Sequence, residues 1–178
     1  VEYRIKDNSS SYFCSKNSIS SCEKEKITMF NILFHAFNLG YRGATNALRD
    51  YAVYNEKVLG NRSTILYHTE GHQDNEPEVV KFFSDRFEVI PVNKSDSVDS
   101  LAKSFDAVYS ARSGNDEEPI IHSAPFLIHG VFSGYTDKCT RFAYVSKYLS
   151  DLMSPQWGKD IPYVPHIVDL PYPNNNFK

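Results

Sequence analysis

From Ile27 onward, short apolar runs alternate with longer amphipathic stretches, a Gly-containing turn follows the first apolar run, and Pro77 falls where a helix should begin. Together these predict an α/β fold, a Rossmann-like doubly wound parallel sheet. Each return between parallel strands needs a crossover helix, and those helices then cover the faces of the sheet. The chain has 178 residues, which as a prior is about one domain. Its texture divides into a disordered extension over 1–26, the Rossmann-like domain over 27–170 and the start of a linker over 171–178.

The extension is rich in Ser, carries Cys14 and Cys22, and mixes Lys with Glu without apolar period. Such a stretch buries too little to offset the entropy of ordering it. Met29 is a natural first residue for the folded part. The apolar run from Ile27 to Phe37 predicts a first, fully buried strand, and Asn38–Gly43 a turn. Ala44, Ala47, Leu48, Tyr51, Val58 and Leu59 recur near helical spacing, and Gly60-Asn61 closes that helix. Ser63–His68 predicts a second strand. Pro77 suits the first turn of a helix through Val79, Val80, Phe82 and Phe83. A third strand spans Phe87–Val92 and a short helix Val98–Phe105. Ala107–Ser110, Pro125–Val131 and Arg141–Val145 predict the fourth to sixth strands, and a helix follows around Lys147–Met153. The Pro-broken stretch from Pro162 to Pro171 predicts extended, linker-like chain.

Composition excludes several classes. A formal charge of −3 without a Lys/Arg cluster argues against nucleic acid as the main partner. No apolar run approaches the ~18 residues of a membrane span, and no h-region of a signal peptide opens the chain. Cys14, Cys22 and Cys139 form neither a disulfide framework nor a Cys-rich zinc site. A cytoplasmic location is expected.

The candidate functional residues lie at strand ends. After the first strand, Gly40 and Gly43 allow a tight turn and close backbone approach to a ligand, at a helix N-terminus that favours anions. Arg42 adds a charge-assisted contact to a phosphate or sugar. Arg112, Ser113 and Gly114 close the fourth strand with groups suited to a polar ligand. His129, deep in the apolar run near the carboxyl end of the fifth strand, suits donation to a developing charge or a sugar hydroxyl. Glu70 offers a weak NAD alternative, since the acid that holds a ribose follows the second strand. The full dinucleotide fingerprint is absent, however. His68, Glu70, His72 and Asp74 have poor metal-ligand spacing, so no metal is expected. His35, His122 and His166 have no partner legible in the sequence. No Asp-x-Asp pair, no G-x-S-x-G elbow and no base beside Cys139 appear.

Three ordered segments resemble GT-B glycosyltransferases related to glycosyltransferase family four. Met29–Phe34, Gly40-Tyr-Arg-Gly43 and Ala47–Ala52 with Asn55-Glu56 resemble their opening strand, Gly-rich turn and helix. Ile128-His-Gly-Val-Phe132 is similar to a "His-Ala-Val-Phe" strand end. Ala143–Ser150 with Tyr163–Pro171 is similar to the approach to their interdomain linker. The resemblance implies an acceptor-side, amino-terminal domain that shares a cleft with a second domain carrying the nucleotide sugar. It implies sugar transfer from a nucleotide-sugar donor to an acceptor, with no cofactor and no obligatory metal. Gly40, Arg42, Gly43, Arg112 and Ser113 would line the cleft, and His129 would meet the transferred sugar. The donor-binding groups would lie outside this chain. A non-catalytic binding or assembly module of the same fold is the other reading, beside an NAD-binding oxidoreductase domain.

Overall fold

The computed structural model describes residues 29–70, 75–93, 96–115 and 119–167. The proposed extension over 1–26, the linker start over 171–178, and His72 and Asp74 lie outside the described residues.

Six strands and four helices alternate along the chain: β1 (Asn31–Ala36), α1 (Gly43–Lys57), β2 (Arg62–His68), α2 (Pro77–Ser84), β3 (Glu88–Val92), α3 (Val98–Ala102), β4 (Ala107–Arg112), β5 (Phe126–Gly130), β6 (Arg141–Tyr144) and α4 (Lys147–Trp157). All strand pairs are parallel, in the order β3-β2-β1-β4-β5-β6. The chain first winds outward from β1 to β3, then returns to place β4 on the other side of β1. The direction of winding therefore reverses between β1 and β4, where open α/β sheets leave a crevice beyond the carboxyl ends of the strands.

Alternation of side chains along each strand splits the core in two. Phe34 and Ile65 pack with Leu48 and Ala52 of α1 and with Val79 and Phe83 of α2. Leu33, Leu66, Val108, Phe126 and Ile128 pack with Val98 and Ala102 of α3 and Met153 of α4. The sheet thus carries helices on both faces, and the expected parallel α/β sheet is present.

Local chemistry explains most boundaries. Pro77 is in the first turn of α2, where its missing N–H costs nothing. Ser97 and Ser146 cap α3 and α4 by accepting from Ser100 N–H and Leu149 N–H. Gly158 ends α4 at φ 62°, in the left-handed region that glycine tolerates. Some boundaries differ from expectation, α3 ending at Ala102 and α4 running on to Trp157. β1 begins only at Asn31, because Met29 and Phe30 are exposed rather than in the core. β4 runs on to Arg112, whose carbonyl accepts from Val131 N–H at 2.8 Å and extends the pairing.

The stretch after α4 is extended, as expected, but it is also tied down. Tyr163 forms a parallel bridge with Tyr144, through Tyr144 N–H to Pro162 O at 2.9 Å and Val164 N–H to Tyr144 O at 2.8 Å. Ile161 is buried, and its carbonyl accepts from Ser150 Oγ at 2.5 Å.

Candidate functional site

The carboxyl ends of β1, β2, β4 and β5 bring the candidate residues to one edge of the sheet. Register shows how closely their levels agree. His35 pairs with Ser110, Ala111 with His129, and Ala36 with Tyr67. His35, Ser110 and His129 therefore stand within about one residue of the same height, with the residues after Ala36 and Tyr67 just above them.

The turn after β1 is pinned from the far side of the sheet edge. Leu39 N–H donates to Asn75 Oδ1 at 2.7 Å, and Glu76 N–H donates to Leu39 O at 2.8 Å. Asn75 Nδ2 in turn donates to His68 O at 2.8 Å. Arg42 is the exposed N-cap residue of α1, and its side chain makes no capping bond. The first turn of α1 holds no acidic residue, so the partial positive charge of the helix end is left for a ligand. Neither Gly40 nor Gly43 has a positive φ; among the described glycines only Gly60, Gly114 and Gly158 do. A left-handed backbone is therefore not the reason for either glycine, although the turn is tight, with Arg42 N–H donating to Gly40 O at 2.8 Å. What survives for Gly43 is room, since a Cβ there would meet nothing within 4 Å.

On the face shared with α3 and α4, a chain of polar groups runs inward from the edge. His35, 1% exposed, has its Nδ1 2.9 Å from Ser110 Oγ and its Nε2 2.9 Å from His68 Nε2. Arg112, 3% exposed, donates from Nε to Ser110 Oγ at 3.1 Å and from Nη2 to Pro119 O at 2.7 Å. Its guanidinium also lies over the rings of Phe37, at 5.3 Å, and Phe126, at 4.8 Å. Burial, then the nearby Arg112 charge, holds His35 well below the ordinary histidine pKa, and His68 is lowered by the same two causes. Both imidazoles are neutral at pH 7.

Residues Ser113 to Asn115, just after Arg112, are closely held. Asn115 N–H donates to Ser113 Oγ at 3.3 Å. Gly114, at φ 101°, passes so close to Gly134 that a Cβ would stand 2.2 Å from the Gly134 carbonyl oxygen. Here glycine is required by both conformation and contact.

On the opposite face, against α1, lies a second cluster. His129, 3% exposed, has its Nε2 2.7 Å from Val164 O and its Nδ1 2.8 Å from the Tyr109 hydroxyl. A carbonyl only accepts, so Nε2 carries the proton and Nδ1 accepts from Tyr109. Tyr51, from α1, stands 5.6 Å from the His129 ring and donates to Pro165 O at 2.7 Å. His166 closes the cage, 5.2 Å from the ring of His129. Burial pushes the Tyr51 hydroxyl up to about 12 and lowers His129 and His166.

Two of the candidates thus sit in separate buried clusters. Arg112 joins His35, His68 and Ser110, none of which the sequence reading had assigned a role beyond a doubtful metal site for His68. His129 joins Tyr51, Tyr109 and the chain's own 164–166 segment. Glu70 is exposed in the bend after β2. Among the described residues, no group of three His, Cys, Asp or Glu side chains is arranged to hold a metal ion. No helix among them is long and apolar enough to cross a membrane. The period of two was a signal for which face His35, Ser110, His129 and Tyr109 each take, but not for which strands are neighbours. No family model matches the chain, and no curated protein or solved structure matches it significantly.

Proposed function

We propose that this chain is a doubly wound, Rossmann-like domain serving as the acceptor-side half of a GT-B glycosyltransferase related to glycosyltransferase family four. In this reading it works in the cytoplasm and helps move a sugar from a nucleotide-sugar donor to an acceptor. The observation that carries the reading is that two polar segments follow β1 and β4, the neighbouring strands between which the winding reverses. One is the Gly40–Arg42–Gly43 turn with the uncapped end of α1, and the other is the end of β4, with Arg112 and the following Ser113. The first presents the exposed Arg42 beyond the carboxyl ends of the sheet, while the second holds the Arg112 guanidinium buried against Ser110 Oγ and Pro119 O. A leaving diphosphate is stabilised by fixed donors and positive charge of this kind, without a metal.

His129 fits less directly than the resemblance implies. Both of its ring nitrogens are bonded, so contact with a sugar requires the Val164 bond to open. The direct substrate contacts are therefore assigned to Arg42 and Ser113, and Arg112, 3% exposed and bonded to Ser110 Oγ and Pro119 O, is a positioning residue.

The test is sugar transfer by the natural polypeptide that contains this chain, with a panel of nucleotide sugars and release of nucleoside diphosphate as the readout. Arg42→Ala should lower kcat/KM about tenfold or more, the size of one lost charge-assisted contact. Its thermal midpoint should not move, because the side chain is exposed. Unchanged transfer by this variant would remove the proposal.

A further inference from the structure

We propose that His68 is the outer end of a hydrogen-bond relay that starts at Arg112, and that its Nδ1–H is a donor for a phosphoryl oxygen at the carboxyl edge of the sheet. This rests on the glycosyltransferase reading only for the identity of the phosphoryl group, which there is the diphosphate of the donor.

The donor inventory sets the direction of the first bond, and the shorter contacts set the rest. A guanidinium has no acceptor, so Arg112 Nε–H donates to Ser110 Oγ at 3.1 Å. Ser110 then has one proton to give, with His35 Nδ1 at 2.9 Å and His35 O at 3.5 Å. The shorter contact takes it, because the longer lies at the limit of a hydrogen bond. With Nδ1 accepting, neutral His35 carries its proton on Nε2 and donates it to His68 Nε2 at 2.9 Å. His68 then accepts at Nε2, so its own proton sits on Nδ1.

That nitrogen faces outward. No described residue is bonded to His68 Nδ1, and it is not among the buried polar atoms left without a partner, so it meets solvent. The side chain is half-buried and stacks on Phe37 with the rings 19° apart, which holds its direction. Four groups donating in one sense polarise one another, and the first of them carries a permanent charge. The positive end of the relay is therefore the one at the edge, while the imidazole itself stays neutral. A negatively charged oxygen is the complement of such an end. The uncapped start of α1 and Arg42 have the same polarity at the same edge. The lowered pKa values of His35 and His68 agree, since a relay of neutral rings needs neither protonated at pH 7.

Free histidine in water favours the Nε2–H tautomer, so the relay makes an unusual demand on His68. Nitrogen-15 NMR of the full chain at about pH 7.5, above the ordinary histidine pKa, reads it directly. Wild type should show His68 protonated on Nδ1 and His35 on Nε2. Added inorganic diphosphate should move the His68 Nδ1 resonance. A second arm with uridine diphosphate distinguishes recognition of the diphosphate alone from recognition that needs the nucleoside. Ser110→Ala should return His68 to Nε2–H and weaken diphosphate binding about fivefold, the cost of one hydrogen bond. If that variant does not fold, the wild-type spectra decide alone. His68 protonated on Nε2 in wild type overturns the proposal, as does a His68 resonance that neither diphosphate moves. Sugar transfer plays no part in these readouts. A failed transfer assay beside a shifted His68 would therefore sink the glycosyltransferase reading and leave the relay standing.

Discussion

The two histidine clusters stand at the same height on opposite faces of one sheet, yet their hydrogen bonds end in different places. On the α3/α4 face, donation runs from Arg112 through Ser110 and His35 to His68, whose last N–H meets solvent. On the α1 face, donation runs from Tyr109 to His129 and ends on the chain's own Val164 carbonyl. A buried histidine near a strand's carboxyl end is therefore not by itself a functional group. What accepts its outermost proton decides whether it serves a ligand or holds the fold.

The largest expected effect breaks the α1-face cluster. His129→Ala leaves the Tyr109 hydroxyl and Val164 carbonyl unpaired beside a cavity, and should cost roughly 2–4 kcal/mol in urea unfolding. Amide exchange at Val164, whose N–H is bonded to Tyr144 O, should rise as the 163–166 segment loosens. His35→Ala should destabilise the protein comparably without raising that local exchange. Equal protection of Val164 in wild type and His129→Ala would show that the segment is held by its bridge to Tyr144 alone.

Acid should separate the clusters next. His35, His68, His129 and His166 all have pKa values below the ordinary 6.5. The unfolded chain therefore binds more protons than the folded one, so stability is full above that value and falls as pH drops below it. Desolvation leads in every case. At His35 the Arg112 charge adds to it, whereas at His129 the bond to the Val164 carbonyl opposes it. Urea midpoints measured across the acid range should thus lose more of their pH slope in His35→Gln than in His129→Gln. The reverse order would place the acid sensitivity on the α1 face.

Tyr51→Phe is the smallest perturbation. It removes one hydroxyl donor to Pro165 O while keeping the ring against His129. The cost should be about 1 kcal/mol in thermal unfolding, the net worth of one hydrogen bond. A loss as large as that of His129→Ala would mean that Tyr51, rather than His129, anchors the segment.

Local pattern carried nearly all of the fold. The apolar runs, Pro77 and the Gly60-Asn61 stop predicted every strand and helix to within a few residues, because period and capping are properties of neighbouring residues. The same reading singled out Arg112, Ser113 and His129, since polar groups stand out at the ends of apolar strands. It did not show why position 114 needs glycine, which comes from Gly134 across a loop; at Gly40 and Gly43 glycine does not mark a left-handed backbone.

What the sequence determined alone was the alternation of strands and helices, and hence a parallel sheet covered by helices. Only the tertiary structure decided the order β3-β2-β1-β4-β5-β6 and the register that sets His35 beside Ser110 and His129 beside Tyr109. The partners are 75 and 20 residues apart in the chain. Strand order and register are set by packing across the whole sheet, and no local propensity encodes which distant hydroxyl a histidine will meet.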